Sequence, residues 1–403
     1  MNLPFDAKIA HFIETHRLDD VKKLALSSQR YPDIDMPVCI QQIAGWQQAR
    51  TKIPTWAATE GIAYPPHLNM EQCSSEATAR YKSDIAKRLE GNEMVDLTGG
   101  LGVDFSFLAQ RFRHATYVEQ NEELCHIAEN NFHVLGLSDV DIVCGDCCSY
   151  LADMPHVALI YLDPARRNDY GMKTIAMSDC QPDVVALADT LLRKADNVMV
   201  KLSPMLDWHA VVRELPHVAE VHIVAVKGEC KEIVAVMSSQ EPTATTIVCA
   251  DDDKTFSFDT SERQEQTIAH AMSIGQMLLE PNASVMKSGE WGILCQRYDI
   301  KAIGENSHLF VSENTGERNP DDDILSLFPG RRFHITRLST MNRRELKPFL
   351  TGIDRANIAV RNFPMSAVEL RRRLRLNDGG NNYLFATTTQ EGAHVLIMCK
   401  KIG

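Results

Sequence analysis

Apolar residues recur at helical spacing through the first 90 residues, and from Glu93 onward short apolar runs alternate with amphipathic segments. The first region predicts helices over 5–16, 21–28, 36–52 and 69–89, with breaks at prolines. The second predicts strands over 94–98, 115–118, 140–143, 157–162 and 198–201. Helices are expected between and after these strands, over 103–112, 121–135, 148–154, 184–195 and 206–215. This alternation is typical of a parallel sheet with helical crossovers.

The stretch 94–121 combines a buried strand, a glycine loop, a helix and a second strand that ends in an acidic residue. The loop is Gly99-Gly100-Leu101-Gly102, and the acidic residue is Glu119. Glycines let the backbone turn sharply and approach a ligand, and the helix N-terminus offers free N–H groups. A carboxylate at the tip of the second strand can accept both hydroxyls of a ribose. We therefore predict a nucleotide-binding βαβ unit.

Two classes of cofactor use such a unit. A dinucleotide site requires G-x-G-x-x-G, but Phe105 occupies the position of the third glycine and would block close packing there. The alternative is S-adenosylmethionine. Residues 96–102, Asp-Leu-Thr-Gly-Gly-Leu-Gly, resemble the first motif of class I methyltransferases, and Glu119 resembles the acidic residue of their second. From the loop alone, a structural glycine turn in another α/β protein stays open.

The end of the alternating region distinguishes these possibilities. Apolar runs at 220–226 and 233–237 are joined by six residues, which are too few for a parallel crossover, so the two strands must be antiparallel. Five parallel strands plus an antiparallel hairpin form the Rossmann-like sheet of class I methyltransferases, unlike an all-parallel dinucleotide sheet. The predicted fold class is thus α/β, with an N-terminal helical domain and a C-terminal α+β region.

Beyond residue 241 the pattern predicts a hairpin over 245–258, a helix over 261–280, short strands over 291–310 and an acidic boundary at 319–323. Strands at 333–337, 356–362, 383–387 and 394–398 then alternate with helices over 342–350 and 366–376. We expect four domains: a helical domain (1–90), the methyltransferase domain (91–280), a small β-rich ferredoxin-like or linker subdomain (281–328) and an α/β domain (329–403). Residues 54–76 are expected to pack across the second domain, the alternative being that Ser74, Ser75 or Glu76 lies at the cofactor pocket.

Two further acidic residues end strands of the predicted sheet. Asp146 lies where class I methyltransferases place a residue that accepts the adenine amino group, although Asp is also an ordinary N-cap. Asp163-Pro164-Ala165-Arg166 resembles their fourth motif, which is Asp/Asn-Pro-Pro-aromatic in amino-group enzymes. There the carboxylate and a proline carbonyl orient an exocyclic amine towards the methyl group. Arg166 replaces the aromatic residue that would stack on a flipped base.

Asp-Pro-Ala-Arg also resembles the fourth motif of 5-methyluridine RNA methyltransferases. Those enzymes need a nucleophilic cysteine after the fifth strand, and this chain has Leu202 at that position. Without a thiolate no covalent adduct can activate a pyrimidine C5, so C5 chemistry is excluded. Arg166 and Arg167, beside the predicted methyl target, are interpreted as phosphate or base contacts, the alternative being a solvated pair.

Charge is distributed unevenly along the 403 residues, whose formal net charge is −12. Residues 331–375 contain twelve Lys or Arg against three acidic residues, whereas residues 1–330 carry −21. Such asymmetry indicates a module that faces nucleic acid. The segments around Trp56, 72–76, 96–102 and 163–166, with this basic region, resemble bacterial class I methyltransferases that carry a C-terminal THUMP-like domain. THUMP domains bind RNA, so the resemblance implies an RNA methyltransferase.

Composition and cysteine spacing bear on the compartment and on metals. The chain is 44% hydrophobic and 24% charged, as in ordinary globular proteins, and shows neither a signal segment nor a membrane-length apolar run. Its eleven cysteines lack the spacing of a disulfide framework, so we predict a cytoplasmic location. The segment 144–148, Cys-Gly-Asp-Cys-Cys, has metal-like spacing, but no second cysteine pair accompanies it, so no metal is predicted.

These observations together predict an S-adenosylmethionine-dependent methyltransferase that modifies a nucleobase nitrogen in RNA, either rRNA or tRNA. The predicted cofactor-binding residues are Asp96, Thr98, Gly99, Gly100, Gly102, Asp104, Glu119, Gln120, Asp146, Cys147 and Asp163. The predicted catalytic residues are Asp163, Pro164 and Arg166. RNA contacts are predicted for Arg166, Arg167, Arg331, Arg332, Arg343, Arg344, Arg371, Arg372, Arg373 and Arg375. Two alternatives stay open: methylation of a small molecule or a protein, and a non-catalytic RNA-binding protein with a vestigial cofactor site.

Overall fold

Helices dominate the first 90 residues and recur between the strands that follow. The structure is a computed structural model that describes residues 6–166, 177–263, 268–312 and 324–402, with the backbone alone at Arg166 and Arg263. Its α-helices are α1 (Ala7–His16), α2 (Val21–Leu26), α3 (Met36–Lys52), α4 (Pro54–Ala58), α5 (His67–Gln72), α6 (Glu76–Ala86), α7 (Val103–Leu108), α8 (Glu122–Val134), α9 (Cys147–Asp153), α10 (Val184–Lys194), α11 (Trp208–Glu214), α12 (Ala283–Ser288), α13 (Trp291–Tyr298), α14 (Arg343–Leu350) and α15 (Ala367–Leu374). Within these described segments, no helix has both the length and the apolar character that crossing a bilayer requires.

The strands of the described residues form two large sheets and one short ribbon. They are β1 (Glu93–Asp96), β2 (His114–Glu119), β3 (Val140–Cys144), β4 (Val157–Leu162), β5 (Ala165–Arg166), β6 (Cys180–Gln181), β7 (Ala195–Leu202), β8 (Val218–Val226), β9 (Glu229–Ser238), β10 (Thr246–Asp251), β11 (Lys254–Asp259), β12 (Met277–Pro281), β13 (Lys301–Ala302), β14 (Phe310–Ser312), β15 (Gly330–Ser339), β16 (Asn357–Val360), β17 (Asn382–Thr388) and β18 (His394–Ile402). The chain divides into two compact units, residues 1–222 with 231–245 and residues 223–230 with 246–403.

The larger sheet has the strand order β11-β10-β8-β9-β7-β4-β1-β2-β3. Strands β3, β2, β1, β4 and β7 run parallel, and β7 pairs antiparallel with β9. All six residues of β4 are buried, as expected for a central strand with both faces covered. The predicted α/β class, with five parallel strands followed by an antiparallel hairpin, is therefore confirmed.

The N-terminal helices pack on this sheet through a buried apolar cluster. Trp56 is fully buried there with Leu101 and Phe107, which belong to the glycine loop and to α7. The Trp56 ring nitrogen donates a hydrogen bond to the Ser106 hydroxyl at 3.3 Å. Glu76 accepts the N–H of Thr55 at 2.7 Å, so the chain on either side of α5 is also tied together. Residues 54–76 thus have the packing role expected for them.

The second sheet lies entirely in the C-terminal unit, with strand order β13-β14-β12-β15-β18-β17-β16. Its pairs are antiparallel except β16 with β17. Helix α15 begins with a capping box: the Ser366 hydroxyl accepts the N–H of Glu369, and the Glu369 carboxylate accepts the N–H of Ser366. Leu370 and Leu374 of this helix are buried in the core of the unit.

Two element predictions in this region are wrong. The predicted helix over 261–280 ends instead in β12, Met277–Pro281, which is paired on one side with β14 and on the other with β15. Pairing with two neighbouring strands outweighs a helical apolar spacing, because tertiary context overrides weak local preference. The predicted strand at 291 is helix α13, which buries Ile293, Leu294 and Tyr298 and tolerates Gly292. The predicted boundary at 319–323 lies outside the described residues.

Candidate functional site

Five parallel strands of the larger sheet end at one edge, and the predicted cofactor-binding residues Asp96, Glu119, Asp146 and Asp163 lie at the ends of four of them. Asp96 ends β1, Glu119 ends β2, Asp146 lies just beyond β3, Asp163 follows β4, and Lys201 is the penultimate residue of β7. In open α/β sheets, ligands bind outside the carboxyl ends of the strands. This edge is therefore the candidate active site.

The loop between β1 and α7 lies against two aromatic rings. A Cβ added to Gly99 would stand 2.1 Å from the ring of Tyr117, and one added to Gly102 would stand 2.7 Å from the ring of Phe132. Gly102 also has a φ of 80°, which side chains rarely adopt. Both positions therefore require glycine, and the loop presents bare backbone at the sheet edge.

Glu119 is held by the backbone of the two loops beside it. One carboxylate oxygen accepts the N–H of Gly100 at 2.9 Å, and the other accepts the N–H of Asn121 at 2.9 Å. Each carboxylate oxygen has two acceptor sites, so one on each stays available. The two available acceptors match the two hydroxyls of a ribose. Gln120, the next residue, is exposed.

Thr98 connects the glycine loop to the fourth strand. Its N–H donates to Asp96 Oδ1 at 2.9 Å, and its hydroxyl accepts the N–H of Asp163 at 2.6 Å. Asp96 is 1% exposed, and this burial raises its pKa well above the usual range. Asp96 therefore lies beneath the loop and orients Thr98, while its predicted contact with the cofactor stays a prediction.

Asp146 and the two cysteines after it form the rim at the end of β3. Asp146 caps α9 by accepting the N–H and hydroxyl of Ser149, at 2.8 and 2.9 Å. The pKa of Cys147 is raised to about 12, mainly by burial and then by the charge of Cys148, so its thiol stays protonated. Possible ligand atoms of Asp146, Cys147 and Cys148 lie within 4.8 Å of one another. The absence of a metal therefore stays a prediction.

Asp163 forms an ion pair with a lysine that the sequence analysis did not single out. Lys201 Nζ donates to Asp163 Oδ2 at 2.5 Å, and the Lys201 side chain is only 14% exposed. Burial alone would lower the pKa of Lys201, but the charges of Asp163, Asp104 and Glu232 raise it above its usual range. Lys201 is therefore a cation at this edge of the sheet.

Behind this pair lies a buried ionic cluster built around Lys82, which is fully buried. Lys82 Nζ is 2.5 Å from Glu232 Oε1 and 3.1 Å from Asp104 Oδ1. Asp104 Oδ2 also accepts the hydroxyls of Ser74 and Tyr161, both at 2.7 Å. Asp104 Oδ2 thus accepts two hydroxyls, whereas Oδ1 is buried beside the Lys82 ammonium without a hydrogen-bond partner among the described residues. The predicted role of Asp104 in cofactor binding stays a prediction.

The remaining predicted residues near Asp163 are placed only in part. Pro164 is buried, and Arg166 belongs to β5, whose backbone pairs with Cys180 in β6. Nothing is described of the Arg166 side chain, and Arg167 lies outside the described residues. The contacts predicted for both arginines therefore stay predictions.

Comparisons with known proteins identify the family to which this chain belongs. A THUMP domain-like family model matches residues 330–401, and a model described as a ferredoxin-like domain matches residues 278–320. The crystal structure of a candidate methyltransferase from Porphyromonas gingivalis W83 is 32% identical, covers 99% of this chain and 100% of its own, and has a TM-score of 0.85. The chain belongs to this family of class I methyltransferases with a THUMP-like domain. The two model matches fall near the predicted third and fourth domains, whose boundaries stay predictions.

Other solved structures resemble this chain less than the Porphyromonas gingivalis protein does. An rRNA methylase from Streptococcus thermophilus is 13% identical, covers 42% of this chain and 99% of its own, and has a TM-score of 0.33. The candidate methyltransferase SMU.1697c from Streptococcus mutans, solved with SAH, is 10% identical, covers 39% of this chain and 95% of its own, and has a TM-score of 0.31. At these scores the likenesses carry no argument about function. Among curated proteins, none matches the chain.

The arginines of the THUMP-like region differ in their surroundings. Arg331 pairs with the buried Glu280, and Arg371 pairs with Asp378. Arg332 is half-buried. The predicted RNA contacts that are exposed on and around α14 and α15 are Arg343, Arg344, Arg372, Arg373 and Arg375. These five offer the most accessible positive charge among the predicted RNA contacts that the structure describes.

Lys82, Lys201 and Glu232 are the site residues that sequence reasoning missed. Lys201 carried a usable signal, because it is a lone cation near the end of an apolar strand in a predicted parallel sheet. Glu232 is the last residue of the predicted hairpin connection and directly precedes an apolar run, so its sequence context is that of a turn residue. Lys82 lies in a helix with other charged residues and is not distinguishable from a solvated lysine by its sequence context.

Proposed function

We propose that this family member is an S-adenosylmethionine-dependent methyltransferase that acts on RNA. The observation that carries the proposal is the sheet edge at which the bare glycine loop, Glu119 and Asp163 meet. Among open α/β sheets, such an edge is the position of the ligand site. The family assignment supports methyl transfer as the chemistry.

The residues at this edge fit the cofactor. Glu119 has one available acceptor on each carboxylate oxygen for the ribose hydroxyls. A Cβ at Gly99 or Gly102 would clash with the ring of Tyr117 or Phe132, so packing keeps these two loop positions without side chains. Asp146 and Cys147 would hold the adenine at the end of β3. When bound, S-adenosylmethionine supplies an electrophilic methyl group.

Asp163 and Pro164 would position the acceptor at the end of β4. The Asp163 side chain is 39% exposed, so a substrate can reach it. Leu202 occupies the position that a C5 mechanism needs for cysteine. This supports direct transfer without a covalent adduct. The sequence predicts a nucleobase nitrogen as acceptor, and that stays one candidate.

RNA is the proposed substrate class because of the C-terminal region. The THUMP-like match spans 330–401, and five predicted contact arginines on its surface are exposed. Arginine forks recognise phosphate in a bidentate manner, and phosphate contacts position a nucleic acid. Ribosomal and transfer RNA are both candidates, and a cytoplasmic location is proposed with them.

One experiment tests this proposal against its alternatives. Purified protein is incubated with S-adenosylmethionine labelled in its methyl group and with RNA from cells that lack the gene. Protein and small-molecule fractions of the same cells are incubated in parallel. Label in RNA, abolished by Asp163→Ala, is the expected result. Label only in protein or in a small molecule would identify another substrate class, and RNA binding without any label would indicate a vestigial cofactor site.

A further inference from the structure

The pair formed by Asp163 and Lys201 has no counterpart in the base-amine mechanism predicted from the motif. We propose that this pair binds a hydroxyl group of the acceptor, and that in RNA this hydroxyl is the ribose 2′-OH. The inference rests on the proposed function and specifies its acceptor. It replaces the nucleobase nitrogen by a sugar oxygen.

The position of the pair is the first step of the argument. Asp163 and Lys201 lie at the carboxyl ends of neighbouring parallel strands, where Leu162 is in register with Val200. Lys201 Nζ donates to Asp163 Oδ2 at 2.5 Å, whereas no described residue donates to Asp163 Oδ1. The Asp163 side chain is 39% exposed and Lys201 is 14% exposed. The pair therefore offers a carboxylate acceptor and an ammonium donor side by side at an accessible edge.

Hydrogen-bond matching is the second step. A hydroxyl carries one proton and two lone pairs, so an acceptor and a donor satisfy one of each and leave one lone pair for the methyl group. An exocyclic amine carries two protons and needs two acceptors, while its lone pair must stay unbonded. An ammonium has three donors and no acceptor. Lys201 is therefore matched to an oxygen and mismatched to an amine.

Charge supports the same choice. The carboxylates of Asp163, Asp104 and Glu232 raise the pKa of Lys201 against the opposing effect of burial, so Lys201 stays an ammonium. A hydroxyl oxygen becomes more negative as its proton leaves, and a fixed cation next to it stabilises that charge. Lys82 is also fully buried, and it forms ion pairs with the carboxylates of Asp104 and Glu232. Lys82 thus neutralises part of the negative charge that Asp104 and Glu232 exert on Lys201.

The proton and the electrons balance without a further reactant. The acceptor oxygen bonds to the methyl carbon, and the carbon–sulfur bond of the donor breaks with its electron pair kept by sulfur. The hydroxyl proton passes to Asp163 and then to water. The proton moves to the Asp163 carboxylate as the oxygen bonds to the methyl carbon, so the negative charge on the oxygen is partial and lies next to Lys201. Lys201 donates its hydrogen bond throughout and needs no change of charge.

The test uses the labelled RNA of the preceding assay. Alkaline hydrolysis of RNA needs a free 2′-OH, so 2′-O-methylation leaves alkali-stable dinucleotides, whereas a base methyl group leaves labelled mononucleotides. Label in dinucleotides is the expected result. Label in mononucleotides would overturn the hydroxyl inference and leave RNA methylation standing. No label in RNA would overturn both proposals.

Variants and a binding measurement separate catalysis from structure. Lys201→Met should lower turnover by about 10²–10³-fold, as loss of one charge-stabilising donor does, while the affinity for S-adenosylhomocysteine stays within threefold. Lys194→Met, which removes a lysine that donates to the Met154 carbonyl, is the control and should retain activity. With S-adenosylhomocysteine bound, the wild type should prefer the mapped oligonucleotide to the same strand with a single 2′-deoxy nucleotide at the target. Lys201→Met should lose that preference, and an unchanged preference would overturn the inference.

Discussion

Removing the Lys82 ammonium should destabilise the first unit more than any surface substitution. Lys82→Met leaves Asp104 and Glu232 buried without the cation that lies 3.1 and 2.5 Å from them. Breaking a buried ion pair by removing one partner costs about 3–5 kcal/mol, because a charge is left uncompensated. For a unit of this size that loss corresponds to a fall in melting temperature of roughly 6–20 °C.

The pH dependence of this loss follows from Glu232. Burial raises its pKa in the folded protein, and Lys82 opposes that rise, so the variant should raise the pKa further. The folded variant then keeps a proton that the unfolded chain releases near pH 4.3. Because the folded state binds more protons in that window, the free energy of unfolding falls as pH rises. The deficit of Lys82→Met should therefore be larger at pH 8 than at pH 5.

Urea denaturation followed by tryptophan fluorescence measures this effect. Three of the four tryptophans, Trp46, Trp56 and Trp208, belong to the first unit. Lys87→Met, at an exposed position just after α6, is the matched control and should stay within about 0.5 kcal/mol of the wild type. Adding Glu232→Gln to Lys82→Met should restore more than half of the loss. A deficit below about 1 kcal/mol, or one that is equal at both pH values, would refute the reasoning.

The part of the fold that sequence reasoning predicted is the part that local signals determine. The glycine loop, Glu119 and the strand-end aspartates lie within or next to short apolar runs, and the loop geometry requires glycine where it occurs. The six-residue connection between the hairpin strands excluded a parallel crossover, and in the sheet these two strands, β8 and β9, are neighbours, with β9 antiparallel to β7. Chain connectivity and backbone sterics act over a few residues, so they can be read from the sequence.

The ionic cluster could not be predicted in the same way. Lys82, Asp104, Lys201 and Glu232 come from four elements, and only the packing of α6 and α7 on the sheet edge brings them together. Asp104 and Lys201 have sequence signals of their own, but nothing in the sequence links them to Lys82 or Glu232. The predicted helix over 261–280 failed for a related reason, since β12 depends on pairing with strands more than 25 residues away. Long-range pairing has no signature in a local window.

Two further predictions concern the cofactor and RNA. Glu119→Ala should weaken binding of S-adenosylhomocysteine by about 1.5–3 kcal/mol, the usual worth of hydrogen bonds to a charged group. Calorimetry can check this against the exposed control Glu123→Ala, and equal affinities of the two variants would contradict the assignment. For RNA, replacing Arg372 and Arg373 with glutamine removes two exposed charges from α15, whereas Arg371 is left in its ion pair with Asp378. If both arginines contact phosphates of a single strand, the log–log slope of affinity against salt should flatten by about 1.4, or roughly 0.7 for each contact. The control replaces the exposed Lys22 and Lys23 of α2 with glutamine, which changes the net charge equally and should leave the slope unchanged. An equal effect of the two double variants would mean that the slope reports the overall charge of the protein and not a binding surface on α15.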